Sequence, residues 1–281
     1  MLEVLWMAII LGMYIGVIPV YIGMLPLNRL QDIDPKWMKI LLAFTIGILL
    51  FLLIDLVGEA MEGADAFIAA MQVGDTATGV IPTLDQMIFD ILGLGLAPMA
   101  GYAIMIVGLG LGLLGLVFVD DKIRSRADTS SSQALAWLIA IAIGLHNLGE
   151  GLAVGIAVSA GATTLAASLI IGFALHNLSE GIAVIGPLAK GGDKLDVKRL
   201  IGLGAVAGCP TILGAFIGLS WFANSLAIFF FAIAAGAVLY VCVEVLAGFR
   251  KDGSEHSPWV LHGGIIAGLL VMYITSLFVA L

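Results

Sequence analysis

The chain has 281 residues, of which 61% are hydrophobic and only 11% charged, whereas a soluble domain carries roughly 25% charged residues. This composition excludes a soluble globular domain and indicates an integral membrane protein. The net charge of −8 comes without a basic patch, so a nucleic-acid partner is not expected. The two cysteines, Cys209 and Cys242, both lie in apolar stretches, so a disulfide framework is not expected.

A helix needs about 20 apolar residues to cross the hydrocarbon core of a bilayer. Eight stretches of the sequence meet this criterion, near residues 4–27, 38–58, 91–118, 134–159, 163–188, 200–221, 224–247 and 259–280. We therefore predict an all-α integral membrane fold with eight transmembrane helices, formed as a single domain over residues 1–281.

The basic residues predict how these helices are oriented. Lys and Arg mark cytoplasmic loops, and all 12 lie in or beside the first, third, fifth and seventh connections. Both termini are therefore expected outside. The short chain shows no organelle signal, so we expect a prokaryotic plasma membrane. The acids inside the predicted spans have no Lys or Arg at membrane depth to pair with, which is typical of a cation path. The basic residues are Arg29, Lys36, Lys39, Lys122, Arg124, Arg126, Lys190, Lys194, Lys198, Arg199, Arg250 and Lys251.

A ten-residue motif occurs twice, in the fourth and fifth predicted spans. Leu-His-Asn-Leu-Gly-Glu-Gly-Leu-Ala-Val begins at Leu145, and Leu-His-Asn-Leu-Ser-Glu-Gly-Ile-Ala-Val begins at Leu175. In the first copy His146 and Glu150 are four residues apart and share a helix face, with Asn147 beside them. The second copy repeats this arrangement on an antiparallel helix at a similar depth, with His176, Asn177 and Glu180.

Charged side chains near the bilayer centre cost about 2.5–3.5 kcal/mol each on insertion scales, so two copies indicate a function. Imidazole and carboxylate ligands together suit Zn²⁺, Fe²⁺, Mn²⁺ or a related divalent ion, and we interpret the repeated motif as a metal site. Three other interpretations remain open at this point. They are a histidine hydrogen-bonded to a carbonyl, a His–Glu ion pair that satisfies itself, and a proton relay.

The two motifs and the eight spans resemble the ZIP family of divalent-metal transporters, in which His-Asn-x-x-Glu-Gly occurs in spans 4 and 5 and both termini lie outside. The resemblance implies a primary metal site formed by His146, Glu150, His176 and Glu180. It also implies a second, weaker site lined by Asn147, Asn177 and Cys209, with the same glutamates as bridges. Cys209 stands where the family often has Glu.

Weaker matches extend the resemblance to both ends of a transport path. Asp55 and Glu59 in span 2 match a stretch at the external entrance, and Glu244 in span 7 matches one near the cytoplasmic exit. The chain also departs from the family pattern. Gly149 and Ser179 stand where Pro usually precedes the motif glutamate, so no proline kink is expected there.

We therefore predict a membrane transporter, not an enzyme, that moves a divalent transition metal into the cytoplasm. Zinc is the first candidate, Fe²⁺, Mn²⁺ and Cd²⁺ are others, and no resident cofactor is expected. Glu150 and Glu180 neutralise one divalent ion, so we expect one tightly held ion. The resemblance implies a homodimer in the lipid bilayer. Two alternatives remain, an intramembrane metal-dependent hydrolase, although His-Glu-x-x-His is absent, and a metal-sensing or proton-conducting membrane protein.

Overall fold

The computed structural model describes residues 1–26, 35–73, 85, 87, 91, 99–125, 131–191, 197–220, 223–250 and 258–277. Within these residues, eight helical segments are long and apolar enough to cross a membrane. The prediction of an all-α membrane protein with eight spans is therefore confirmed, and we number them span 1 to span 8 in chain order. Spans 2 to 5, 7 and 8 are single helices, at Pro35–Val73, Ala100–Arg124, Ser131–Ser159, Thr163–Gly191, Asn224–Arg250 and Pro258–Ser276.

Spans 1 and 6 are interrupted helices. Span 1 consists of Leu2–Gly12, a π-helical turn at Met13–Val17 and Ile18–Met24, and span 6 consists of Val197–Gly208 and Pro210–Ser220. Pro210 has no N–H to donate to the carbonyl four residues earlier, so the regular hydrogen-bond pattern ends there. The two interruptions face each other, because a Cβ on Gly16 would lie 2.7 Å from the carbonyl oxygen of Gly208.

Span 3 extends further at its C-terminal end than its hydropathy predicts. The apolar pattern ends it at residue 118, whereas the helix continues to Arg124. An ion pair within the last turn explains the extension, since Nε of Arg124 lies 2.5 Å from Oδ1 of Asp120, four residues earlier. Pairs with this spacing stabilise a helix. As a result, one arginine belongs to the helix and not to the loop that follows it.

The eight spans pack as two groups. Spans 1, 4, 5 and 6, the motif group, pack mainly against one another, and spans 2, 3, 7 and 8 form the flanking group. Within each group glycines bring backbones into direct contact. A Cβ on Gly151 of span 4 would lie 2.1 Å from the carbonyl oxygen of Thr211 in span 6, and one on Gly112 of span 3 would lie 2.0 Å from that of Ile233 in span 7. These helix pairs can approach so closely only because the residues are glycines.

The two groups meet through an apolar core on one side of the motifs, which we call the core side. Fully buried side chains of spans 2, 4, 5 and 7 contribute to it, among them Leu49, Leu52, Ile143, Val184 and Val238. We call the opposite side, toward residue 59 of span 2, the cavity side. The motif residues therefore lie at a boundary between close packing and open space.

Candidate metal centre

Both copies of the motif lie in the middle of continuous helices. The helices of spans 4 and 5 run without a break through Gly149 and Ser179, as the absence of proline at these positions predicts. Six polar side chains of the two motifs are each at most 3% exposed, namely those of His146, Asn147, Glu150, His176, Asn177 and Glu180. The fold thus buries both motifs at the contact between the two helices.

The histidine and glutamate side chains of the two motifs converge. Nε2 of His146 lies 3.5 Å from Oε1 of Glu150 and 3.5 Å from Oε1 of Glu180. Nε2 of His176 lies 3.5 Å from the same Glu180 oxygen, so Glu180 stands between the two imidazoles. One ligand atom each of His146, Glu150 and His176 also lie within 4.8 Å of one another. We call these four side chains the central cluster.

Most potential ligand atoms of the central cluster have no hydrogen-bond partner among the described residues. They are both ring nitrogens of His146 and of His176, Oε1 of Glu150, and both carboxylate oxygens of Glu180. A buried polar group without a partner costs about 1–3 kcal/mol, and more if it is charged. Native proteins contain few such groups, and here they are concentrated at one point. A bound cation would provide a partner for one nitrogen of each imidazole and for the carboxylate oxygens that face it.

The same geometry argues against two of the interpretations that the sequence left open. The His–Glu separations of 3.5 Å exceed the usual range of about 2.7–3.2 Å for an N–H···O hydrogen bond. In a His–Glu ion pair without a metal, the imidazole nitrogen and the carboxylate oxygen would lie closer together. A histidine held by a carbonyl would have at least one partnered ring nitrogen, and among the described residues neither His146 nor His176 has one.

The two asparagines use their amide nitrogens for other contacts. Nδ2 of Asn177 donates to Oε2 of Glu150 at 2.5 Å, and Nδ2 of Asn147 donates to the carbonyl oxygen of Ala207 at 2.9 Å. The first bond positions a carboxylate of the central cluster, and the second ties span 4 to span 6 beside its interruption. Neither Oδ1 atom has a hydrogen-bond partner in the part of the chain that the structure describes.

Cys209 differs from the other predicted ligands in its surroundings. It lies at the interruption of span 6 and is exposed, whereas the central cluster is buried. It is also not one of the side chains whose ligand atoms lie within 4.8 Å of one another. The second site predicted from Asn147, Asn177 and Cys209 stays a prediction.

A cavity of about 300 Å³ connects the central cluster to the acids of span 2. Its lining includes Asp55 and Glu59 together with three members of the cluster. The predicted entrance acids and the predicted metal ligands thus share one space. The lining residues are Asp55, Leu56, Glu59, His146, Gly149, Glu150, Ala153, Leu169, Phe173, His176, Phe231 and Ser276.

Glu244, the predicted exit acid, is paired with a base. A terminal guanidinium nitrogen of Arg124 donates to Oε2 of Glu244 at 2.9 Å, and Tyr240 donates through its hydroxyl to Oδ2 of Asp120 at 2.6 Å. The expectation that acids within the membrane lack a basic partner is therefore wrong for Glu244, because the helix of span 3 continues to Arg124. The i,i+4 spacing of Asp120 and Arg124 was the available sequence signal for this network.

Comparison with known proteins identifies the family. The sequence profile described as ZIP Zinc transporter matches residues 119–276, which is more than half of the chain. The chain therefore belongs to the ZIP zinc transporter family. Zinc transporter ZIP10 of Homo sapiens is 30% identical over 157 residues, which cover 51% of this chain and 18% of the human protein. Zinc transporter ZIP6 of Pongo abelii is 27% identical over 165 residues, covering 55% and 22% respectively. The match thus spans only about a fifth of the length of these relatives.

Proposed function

We propose that this protein transports a divalent transition metal, with zinc as its first candidate cargo, across the plasma membrane into the cytoplasm. The transported ion would bind His146, Glu150, His176 and Glu180. The observation that carries the proposal is the group of buried ligand atoms without partners, contributed by two adjoining membrane helices. Membership of the ZIP family supports it, as do the names of both relatives, which are zinc transporters.

The chemistry of the central cluster favours a transition metal over Mg²⁺ or Ca²⁺. Two imidazoles and two carboxylates offer mixed nitrogen and oxygen ligands, which suit Zn²⁺, Fe²⁺, Mn²⁺ and Cd²⁺. Mg²⁺ and Ca²⁺ prefer oxygen ligands alone. With neutral imidazoles, the two carboxylates also balance the charge of one divalent ion. Zinc is chosen among these ions because the relatives are named for it.

The same charge balance favours a single tightly held ion. A second divalent ion beside the first would leave two positive charges uncompensated in a low-dielectric region. At an effective dielectric constant near 20, two unit charges 4 Å apart already interact by about 4 kcal/mol. Ionised Cys209 would reduce the deficit, but its side chain is exposed and not grouped with the central cluster. The second site would therefore be weak.

A path across the membrane follows from the orientation that the basic residues predict. With both termini outside, the cavity side faces the exterior, and Asp55 and Glu59 would attract cations into the cavity. Glu244 would receive the ion at the cytoplasmic end. Arg124 competes with the ion for the carboxylate of Glu244 and so keeps the binding of the ion weak. We further propose that residues 1–281 act as one transport domain and that the protein forms a homodimer.

The alternative of an intramembrane hydrolase gains no support from the other histidine that the structure describes. His262 lies at the start of span 8, where Nδ1 is 2.7 Å from the carbonyl oxygen of Pro258. A metal hydrolase also needs an open coordination position and a general base, whereas a transport path accounts for the acids predicted at both ends of the bundle. A sensor or a proton conductor would use the same cluster, and only a flux measurement separates these from a transporter.

Zinc influx into proteoliposomes tests the proposal, with wild type compared against Glu180→Ala and with Mg²⁺ as a control ion. We expect zinc to enter with the wild type, Mg²⁺ to stay outside, and Glu180→Ala to abolish the influx. Glu62→Ala is a matched control, because Glu62 is an exposed acid on span 2 that does not line the cavity. Zinc that binds without crossing would favour the hydrolase or the sensor. An influx indifferent to Glu180 would mean that the ion takes another path.

A further inference from the structure

Two phenylalanines of the flanking group contact the motif helices at the central cluster. The ring of Phe51, in span 2, lies edge-on to the imidazole of His176, with 6.0 Å between ring centroids and 60° between ring planes. Phe231, in span 7, lines the cavity beside Glu150. An edge-to-face arrangement at this distance is a favourable ring contact. Both rings therefore lie where the two groups of helices meet the predicted ligands.

The cavity ends at the level of Phe231. Toward the core side, the last residues that line it are Asp55, His146, His176 and Phe231, in spans 2, 4, 5 and 7 respectively. Phe51 lies one helical turn beyond Asp55. Ala235, one turn beyond Phe231 on the same helix face, is only 1% exposed. Open space thus gives way to close packing within a single turn.

The ring of Phe231 occupies a notch that one glycine provides. A Cβ on Gly149 would lie 2.5 Å from Cε1 and 2.8 Å from Cδ1 of this ring. Real Cβ atoms do not approach neighbours so closely, and any side chain at this position would displace the ring. Gly149 directly precedes Glu150, so the seat of the ring is built into the metal-binding motif itself.

We propose that Phe51 and Phe231 form an aromatic floor that closes the cavity toward the core side, with Gly149 as the seat of Phe231. Water entering the cavity stops at the floor. If the protein is a transporter, as proposed above, an ion bound at the central cluster has to pass the floor to continue toward the core side. An apolar layer around a metal site also limits the access of solvent to the bound ion.

A buried thiol tests the floor without using metal or transport. The reporter is Ala235→Cys in full-length protein that also carries Cys209→Ser and Cys242→Ser, purified in detergent and treated with a permanently charged methanethiosulfonate reagent in zinc-free buffer. With Phe231 present, the thiol should react slowly compared with the same protein in denaturant. Phe231→Ala should raise the labelling rate about tenfold or more, because a buried thiol otherwise reacts only through local opening of its surroundings.

Two further variants decide what a change in rate means. Phe231→Leu retains an apolar side chain at this position, folds more readily than the alanine variant, and should give a smaller increase. Phe230→Ala removes a neighbouring half-buried ring that does not line the cavity, and it should leave the rate unchanged. The floor is refuted if the Ala235→Cys thiol is labelled no faster with Phe231→Ala than with Phe231 in place. It is also refuted if Phe230→Ala raises the labelling rate as much as Phe231→Ala does. Since the assay contains no zinc, its failure would leave the proposed transport intact, and a failure of transport would leave the floor intact.

Discussion

Asn177→Ala is expected to weaken zinc binding even though Asn177 is not one of the four predicted primary ligands. Its Nδ2 donates to Oε2 of Glu150 at 2.5 Å, while Oε1 of Glu150 has no hydrogen-bond partner among the described residues. The amide therefore fixes the direction of the carboxylate before the ion arrives. Without it, Glu150 must be ordered at the moment of binding.

The size of the effect follows from this one contact. A hydrogen bond to a charged group contributes about 1.5–3 kcal/mol, and about 1.4 kcal/mol corresponds to a tenfold change in an equilibrium constant. The dissociation constant for zinc should therefore rise about 10- to 100-fold, which is also the range for loss of a group that orients a metal ligand.

Competition with a zinc chelator measures the affinity of the purified protein directly. Ser179→Ala is the matched control, because Ser179 is buried in the same motif but its hydroxyl donates to the carbonyl oxygen of His176 at 2.6 Å and to no predicted ligand side chain. The control should bind zinc as the wild type does. Wild-type affinity in Asn177→Ala, or an equal loss in Ser179→Ala, would refute the assignment of Asn177 as a positioning residue.

Three more predictions concern stoichiometry, packing and release. Metal analysis should find one tightly bound zinc per protomer, with or without Cys209→Ser, and two equally tight ions would contradict the charge argument. Gly151→Ala should lower thermal stability, since overpacking costs about 1–3 kcal/mol and the added Cβ would meet a carbonyl oxygen at 2.1 Å. Gly110→Ala should leave thermal stability unchanged, because the added Cβ has no atom within 4 Å. Equal melting temperatures of the two variants would refute the packing argument. Glu244→Ala should slow zinc release more than it weakens binding, and the reverse pattern in stopped-flow release would exclude Glu244 from the exit.

Much of the fold and the predicted cluster could be read from the sequence because both depend on local periodicity. Apolar stretches of sufficient length define the spans, and the i,i+4 spacing within each motif fixes which side chains share a helix face. Two copies at matched depth on neighbouring helices then bring His146 and His176 together. The end of span 3 was misjudged because the apolar run stops before Asp120, whereas the ion pair of Asp120 and Arg124 helps the helix to continue beyond it.

Contacts between distant spans were not predictable, since they depend on how the two groups of helices pack. Nothing in the sequence around Phe51 or Phe231 distinguishes these rings from others in apolar helices. The glycine before Glu150 could have been a signal for a close neighbour, but it does not identify Phe231 as that neighbour. Likewise, Pro210 is a sequence signal for the helix interruption. The exposure of Cys209, in contrast, depends on how span 6 packs against its neighbours.

We propose that one nitrogen of each motif imidazole and the carboxylate oxygens of Glu150 and Glu180 bind the transported ion. X-ray absorption at the zinc edge, on protein loaded with one equivalent of zinc, tests this most directly. We predict a shell of nitrogen and oxygen only, with the scattering of two imidazoles, and the loss of one imidazole in His176→Ala. A sulfur neighbour at about 2.3 Å, the usual Zn–S distance, or a spectrum unchanged by His176→Ala would contradict the account.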